Sequence, residues 1–288
     1  MNFDLSIAAA SSTRIVLRGL LAFMTVLLLN ACGGGGSSSA DTTPSNTNAS
    51  VINPGIYMGA VNGKDWITVL LPAPNQMTHF YALHYNGTDP DIYSGTGQIT
   101  GTSTANLSKV SLFPDNSKPV RTGSGTVSSL GSGIVRASLS FPAVGTDVGK
   151  EISIDHSAPS GYTFNSAANL TQAQGLWQGR WSYGQGYADN FSLTISAQGL
   201  VTSSALFQND CQLTESQLSV SVDGSTSLNL FNWTLKIPNA TICSTSLGGQ
   251  TLTGTAFITN SPVAGKTKRL YLVATTPDGR GVSFKADK

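Results

Sequence analysis

Charged residues are scarce in this sequence of 288 residues. Lysine, arginine, aspartate and glutamate together make up 11% of the chain, whereas ordinary soluble domains contain about 25%. The formal net charge is +1 at pH 7, and no run of basic residues occurs. A nearly neutral surface without a basic patch argues against nucleic acid as a partner and against electrostatic docking on anionic lipid.

Residues that commonly perform catalysis or bind metals are also few. Histidine and cysteine occur three times each. His79 and His84 lie five positions apart on one predicted strand and therefore on opposite faces, which argues against a shared metal site. Residues 101–105 lack the closing glycine of a nucleophile elbow, and residues 89–91 (Asp-Pro-Asp) are typical of a turn. We therefore predict no catalytic residues, no metal and no cofactor.

The sequence contains only one long apolar run, from Gly19 to Leu29, and it follows Arg14 and Arg18. Spanning a bilayer as a helix takes about 20 apolar residues, and this run is much shorter. Basic residues, an apolar stretch and then small residues form the order of an export signal. The run therefore predicts a cleaved signal peptide over residues 1–31.

The end of that run, Leu29-Asn30-Ala31-Cys32, resembles the lipobox of bacterial lipoproteins. The resemblance implies that Cys32 receives a diacylglyceryl group and becomes the acylated N-terminus of the mature protein. Each buried methylene adds about 0.8 kcal/mol, so two or three acyl chains attach a protein durably to a membrane. Gly33 follows the cysteine, which resembles lipoproteins sorted to the outer membrane. From the outer membrane, the protein is expected to face either the periplasm or the cell surface.

Residues 32–53 are predicted to form a flexible tether. They are rich in glycine, serine, threonine and asparagine, and such a segment has too little apolar surface to offset its ordering entropy. The remaining cysteines, Cys211 and Cys243, form an even pair in an oxidising compartment, which predicts a structural disulfide. A metal or redox role would instead require a CxxC pair or nearby histidines.

Strand-like alternation dominates from Gly55 onward. Val135, Ala137, Leu139 and Phe141 alternate with polar residues, a period of two that indicates strands with one buried and one wet face. Turn-forming residues interrupt the pattern every 8 to 12 residues or so, the spacing of an antiparallel sandwich or barrel. The predicted fold class is all-β, with about eight strands in each of two consecutive domains.

Two domains are predicted because a short motif recurs. Residues 55–59 and 175–179 share the pattern Gly-x-aromatic-x-Gly, and each copy opens a run of strands. Repeats of this length indicate domain duplication. The predicted boundaries are 54–165 for the first β domain, 166–174 for a linker and 175–288 for the second β domain.

Eight strands opened by Gly175 and Trp177 resemble lipocalin barrels, and a lipid-anchored pair of barrels resembles surface lipoproteins such as transferrin-binding protein B. The resemblance implies that Trp177 packs at the closed end of its barrel beneath an arginine from the last strand, for which Arg280 is the candidate. Tyr57 takes the place of the tryptophan in the first half.

The segment from Trp177 to Tyr187 concentrates aromatic residues around a glycine-rich hairpin. Arg180, Trp181, Tyr183 and Tyr187 therefore form a candidate contact surface for carbohydrate or protein. In the alternative interpretation, Trp177 and Trp181 face inward and fill the barrel, which leaves only the two tyrosines near the turn.

The leading functional hypothesis is a non-enzymatic, lipid-anchored protein of the cell envelope that binds a ligand or partner, either an envelope protein or a carbohydrate. One alternative is a structural or assembly component of the envelope without a small-molecule site, and another is an envelope hydrolase. A spanning outer-membrane barrel is a further alternative, but such barrels need lipid-facing apolar strand faces and aromatic girdles.

Overall fold

The computed structural model describes residues 52–288 apart from short gaps at 62–63, 73–76, 86–89, 101–102, 115–118, 147, 184–186, 205–211, 214, 224–225 and 240–245. It confirms an all-β fold of two consecutive, closed, antiparallel barrels with eight strands each. In each barrel, every strand pairs with the next one along the chain, and the last strand pairs with the first.

The first barrel consists of β1 (Gly55–Val61), β2 (Lys64–Pro72), β3 (Met77–Tyr85), β4 (Pro90–Thr100), β5 (Thr104–Phe113), β6 (Arg121–Gly131), β7 (Ile134–Phe141) and β8 (Lys150–Ser157). A single short helix, α1 (Leu170–Ala173), precedes the second barrel in the described part of the chain. The second barrel consists of β9 (Gly175–Ser182), β10 (Tyr187–Ile195), β11 (Leu200–Ser203), β12 (Ser216–Asp223), β13 (Thr226–Lys236), β14 (Thr251–Asn260), β15 (Lys268–Thr275) and β16 (Gly281–Asp287).

The predicted alternation is present in the strands that suggested it. In β7, the four apolar side chains from Val135 to Phe141 are buried, and Arg136 between them is exposed. In β10, Phe191, Leu193 and Ile195 point into the second barrel. Their polar neighbours lie on the outer face, as a period of two requires.

The two glycines that end the recurring motif stand where each barrel closes. A Cβ atom on Gly59 would lie 2.5 Å from the carbonyl oxygen of Asp155 in β8, the last strand of the first barrel. A Cβ atom on Gly179 would lie 2.1 Å from the carbonyl oxygen of Lys285 in β16, the last strand of the second. Both distances are below van der Waals contact, so only glycine lets the first and last strands approach this closely.

The aromatic residue of the motif makes the same hydrogen bond in both barrels. The Tyr57 hydroxyl donates to the carbonyl oxygen of Asn53 at 2.7 Å, and the Trp177 Nε1–H donates to the carbonyl oxygen of Ala173 at 2.6 Å. In each case the acceptor lies four residues earlier. The bond therefore fixes the incoming chain against the first strand of its barrel, and the motif repeats as a structural device.

Lys288, and not Arg280, covers Trp177. The Lys288 Nζ lies 4.5 Å from the centroid of the indole ring and donates to the carbonyl oxygens of Gln172 and Gln174 at 2.8 and 2.7 Å. Arg280 precedes β16 at the opposite end of the strand and pairs with Asp278 at 2.9 Å. The prediction of Arg280 was wrong because β16 runs antiparallel to β9, so its C-terminal end lies beside Trp177.

Large side chains pack inside both barrels. The interior of the second barrel is a contiguous apolar cluster that includes Trp177, Trp181, Trp233 and Phe284. The interior of the first barrel is a separate cluster that includes Trp66 and Phe141. The large ring side chains in these clusters occupy the space that a hollow barrel of this size would offer to a ligand.

The outer faces of the two barrels meet in a third apolar cluster, and both barrels belong to one compact unit. The Phe257 and Tyr271 rings stack with their centroids 5.0 Å apart, and the Lys285 Nζ lies 4.1 Å from the centroid of the Tyr85 ring. The buried members of this inter-barrel cluster are Ile56, Ile67, Val69, Leu83, Tyr85, Ile92, Phe113, Leu228, Leu230, Phe257, Tyr271 and Val273.

The connecting segment also packs on the second barrel. The backbone N–H of Asn229 in β13 donates to the carbonyl oxygen of Phe164 at 2.8 Å, and that of Ala168 donates to the carbonyl oxygen of Leu228 at 3.0 Å. Tyr162 donates its hydroxyl to the carbonyl oxygen of Asn229. These bonds hold the segment between the barrels against β13. The predicted linker, residues 166–174, therefore begins within a segment that is bound to the second barrel.

The closure glycines generate a stability prediction. Replacing Gly59 or Gly179 with alanine should lower the free energy of unfolding by about 1 to 3 kcal/mol, because the strands must move apart to admit a methyl group. Urea unfolding followed by tryptophan fluorescence measures this change. Gly149→Ala is the matched control, since its Cβ would meet its nearest neighbour at 3.4 Å, an ordinary contact. Equal stability of all three variants would contradict the closure role.

Candidate functional site

A groove of about 320 Å3 lies between the outer faces of the two barrels. It borders the inter-barrel cluster, so apolar packing fixes both of its walls. Most of its lining side chains carry a hydroxyl group or a ring nitrogen. The lining residues are His79, Tyr81, Ser94, Gly95, Thr96, Lys109, Ser111, Thr253, Thr275, Thr276 and Pro277.

The wall from the first barrel consists of two rows of side chains that run across β3, β4 and β5. Tyr81 pairs with Ser94, which pairs with Ser111. Two residues further along β3, His79 pairs with Thr96, which pairs with Lys109. Residues in such rows point to the same face of a sheet. The pleat therefore presents a grid of polar groups to the groove.

The wall from the second barrel comes from β14, β15 and the turn that follows. Thr253 and Thr275 are direct cross-strand partners. Thr276 begins a tight turn in which its backbone N–H donates to the carbonyl oxygen of Arg280 at 2.8 Å. Gly279 in this turn lies against Ser111 so closely that a Cβ atom would sit 2.2 Å from the serine Cβ. The turn thereby defines one end of the groove.

The groove is neutral to positive. Among the described residues that line it, Lys109 is the one permanently charged side chain, and none is an aspartate or glutamate. Burial raises the pKa of Tyr81, so its hydroxyl is protonated at neutral pH and can both donate and accept. The lining therefore offers hydroxyl groups, a half-buried aromatic ring and one cation.

Such a lining suits recognition of a polyhydroxylated ligand. Serine and threonine hydroxyls donate and accept with equal ease, and an aromatic ring packs against the apolar face of a sugar while adjacent polar groups fix its orientation. Each net hydrogen bond contributes only about 0.5 to 1.5 kcal/mol. The arrangement favours binding through many modest contacts.

A second polar group of residues lies inside the first barrel, at the end where β2, β4 and β8 begin. The Lys150 Nζ lies 3.0 Å from Asp91 Oδ2 and donates to the Tyr93 hydroxyl at 3.2 Å. His84 Nδ1 lies 3.7 Å from the same carboxylate oxygen, and the His84 ring stacks on Trp66 with centroids 4.0 Å apart. We call these five residues the mouth cluster.

The mouth cluster satisfies charges that the barrel would otherwise bury alone. The Asp91 side chain is 7% exposed and the Lys150 side chain 36%, so the pair closes the barrel with its cation toward solvent. Sequence reasoning missed this arrangement because residues 89–91 were assigned to a turn. Asp91 instead belongs to β4, where it faces inward and pairs in register with His84.

His156 lies deeper in the same barrel, with its Nε2 3.0 Å from the Thr68 hydroxyl oxygen. Both side chains are buried. Burial lowers the pKa of His156 to about 4. The imidazole is therefore neutral under ordinary conditions and acts as a structural hydrogen-bonding group of the barrel interior.

The contact surface predicted around the hairpin at 183–187 does not form as a single face. Trp181 is 0% exposed and packs against Phe191, Trp233 and Phe284 inside the second barrel. Arg180 points the other way and pairs with Asp189 at 2.7 Å. The prediction for Trp181 was wrong because consecutive strand residues face opposite sides, as the inward-facing alternative required.

The remaining predicted residues are placed only in part. Tyr183 is half-buried against the second-barrel core, and Tyr187 begins β10. Cys32, Cys211 and Cys243 lie outside the described residues, so the lipid attachment and the disulfide remain predictions. Leu213 and Leu247, which lie close in sequence to Cys211 and Cys243, are both buried in the second-barrel core.

No protein-family model, curated protein or solved structure matches this chain. No helix in the described part of the chain is long and apolar enough to cross a membrane. Among the same residues, no three histidine, cysteine, aspartate or glutamate side chains gather in a way that could hold a metal ion.

The buried histidine generates a prediction of pH dependence. The pKa of His156 is lower in the folded state (about 4) than the ordinary histidine value of 6.5, so the unfolded chain binds the extra proton between these values. Stability should therefore fall as the pH falls from 6.5 to 4, by up to about 3 kcal/mol from this residue.

The measurement is the free energy of unfolding at several pH values for the natural protein and for His156→Gln. Glutamine retains a hydrogen-bonding side chain but does not titrate in this range. The variant should therefore show a shallower loss of stability with acid, whatever its stability at pH 7. Parallel pH profiles for the two proteins would contradict the buried neutral state of His156.

Proposed function

We propose that this chain is a lipid-anchored protein of the bacterial cell envelope that binds carbohydrate, without converting it, in the groove between its two barrels. The observation that carries the proposal is the groove itself. It has two ordered rows of polar side chains and the Tyr81 ring, and none of the described residues that line it is a carboxylate.

Packing inside the barrels directs the proposal to their outer surfaces. An interior ligand would need a hollow barrel, but Trp177, Trp181 and Trp233 fill the second barrel and the mouth cluster closes one end of the first. The inter-barrel groove is concave and accessible, which is the shape that ligand sites generally require. A surface site also suits long or polymeric ligands, since neither end of the ligand needs to be enclosed.

The proposed location rests on the sequence. The export signal, the lipobox at Cys32 and the tether at 32–53 support attachment to the outer membrane. An envelope protein with neutral overall charge recognises partners by shape and hydrogen bonds, and envelopes are rich in polysaccharide. The proposed partners are therefore the membrane, through the lipid on Cys32, and an envelope carbohydrate.

The anchor is tested by Cys32→Ala. Without the acceptor thiol, the protein should move from the membrane fraction to the soluble fraction, because no acyl chain remains to partition into the bilayer. Immunoblotting of fractionated cells measures the change. Ser38→Ala in the tether is the control and should stay with the membrane. A Cys32→Ala protein that remains membrane-bound would contradict lipid anchoring at this residue.

Carbohydrate binding is tested by calorimetric titration of the full-length protein in detergent with maltotetraose, chitotetraose and tetragalacturonate. We expect at least one of these probes to bind. Tyr81→Ala should weaken that binding about fivefold, because ring contacts of this kind contribute about 1 kcal/mol. Thr96→Ala should weaken it less.

Thr122→Ala is the matched control, since Thr122 is an exposed strand threonine of the first barrel that does not line the groove. Its affinity should equal that of the natural protein. No binding by any probe, or equal affinities for the Tyr81→Ala, Thr96→Ala and Thr122→Ala variants, would overturn the proposal and favour a structural or protein-contact role.

A further inference from the structure

One lysine of the groove differs from most other basic residues of this protein. In the part of the chain that the structure describes, Lys109 and Lys266 are the two basic side chains without a hydrogen bond, an ion pair or a ring contact. The others are neutralised or held locally, as Arg136 is by Asp155 and Arg269 by Asp287. Of the two, only Lys109 lines the groove.

Within the described residues, the surroundings of Lys109 supply polar neighbours but no counter-ion. Thr96 stands directly beside it in register, and His79 stands beside Thr96. Neighbouring strands lie about 4.8 Å apart, so the backbone positions of His79 and Lys109 are separated by roughly 10 Å. The nearest acidic residue of the adjoining turn, Asp278, is already bound by Thr276 and Arg280.

This geometry leaves room for one anionic group above Thr96. A carboxylate or phosphate at that position lies within reach of the Lys109 ammonium on one side and the His79 imidazole on the other. The threonine hydroxyl provides a donor below it. Charge-assisted hydrogen bonds of this kind are stronger than those between neutral groups, and the described lining of the groove contains no carboxylate to repel the anion.

We infer that the groove selects an acidic carbohydrate, with its anionic group held at the row His79, Thr96 and Lys109 and a sugar ring placed along the row that contains Tyr81. The inference rests on the proposed carbohydrate binding and adds the charge of the ligand. The two rows then have different tasks. The row His79, Thr96 and Lys109 recognises the charge of the ligand, and the row that contains Tyr81 recognises the sugar ring and its hydroxyl groups.

The test compares pairs of probes that share a sugar backbone and differ in whether they carry an anionic group. Tetragalacturonate and its methyl ester share the same sugar, and mannopentaose phosphate and mannopentaose form a second pair, so the two pairs distinguish a carboxylate source from a phosphate source. We expect the acid of at least one pair to bind about tenfold more tightly than its neutral partner. That preference should shrink as salt is raised, because the site is open to solvent.

Lys109→Gln should abolish the preference, because glutamine keeps a polar side chain at this position but carries no charge. Lys266→Gln, which removes the other partnerless lysine, should keep the preference intact. Equal binding of acid and neutral probes, or a preference that survives Lys109→Gln, would overturn the inference and leave carbohydrate binding standing. Absence of binding by every probe would overturn both proposals together.

Discussion

Apolar packing between the barrels is the constraint on which the groove depends. Leu83, Ile92 and Phe113 form a row across β3, β4 and β5 that is buried against the second barrel. The next row on the same face begins with Tyr81 and already lines the groove. One sheet face therefore changes from interface to site within two residues. Because the interface fixes the strands, the groove walls are preorganised, and a ligand need not supply the ordering entropy of two loosely joined domains.

The duplicated motif separates what the two barrels share from what distinguishes them. Both copies use a glycine for strand closure, and both aromatic residues, Tyr57 and Trp177, donate to a carbonyl four residues earlier. The interiors of the two barrels nevertheless differ. The first barrel buries polar partners such as His156 and Asp91, whereas the interior cluster of the second is apolar. The motif thus specifies closure of an eight-stranded barrel and carries no information about a ligand.

The alternation of apolar and polar residues was sufficient to predict the fold, because this pattern can be recognised within a single strand. The predicted second domain, for example, begins at residue 175, which is where β9 (Gly175–Ser182) begins. The groove could not be predicted in this way, since its walls come from residues about 170 positions apart that meet only through inter-barrel packing. A usable signal was present in β15, where residues 270–274 are apolar without alternation. Such a run indicates a strand buried on both faces, and the inter-barrel cluster lies on one of them.

Scarcity of charge and membrane attachment fit together in the proposed function. Most described cations are held by local partners. When a ligand enters the groove, its hydrogen bonds to the hydroxyl groups replace hydrogen bonds to water, so each contributes little net free energy. Recognition of this kind gives modest affinity for a single ligand. In the proposed function, the predicted tether has a reach of about 25 Å, so it would confine the groove to a thin layer beside the membrane. Within that layer, a high effective concentration of the ligand compensates for weak intrinsic affinity. The proposed anchor would therefore allow a weakly charged site to remain occupied by a polymer fixed in the same envelope.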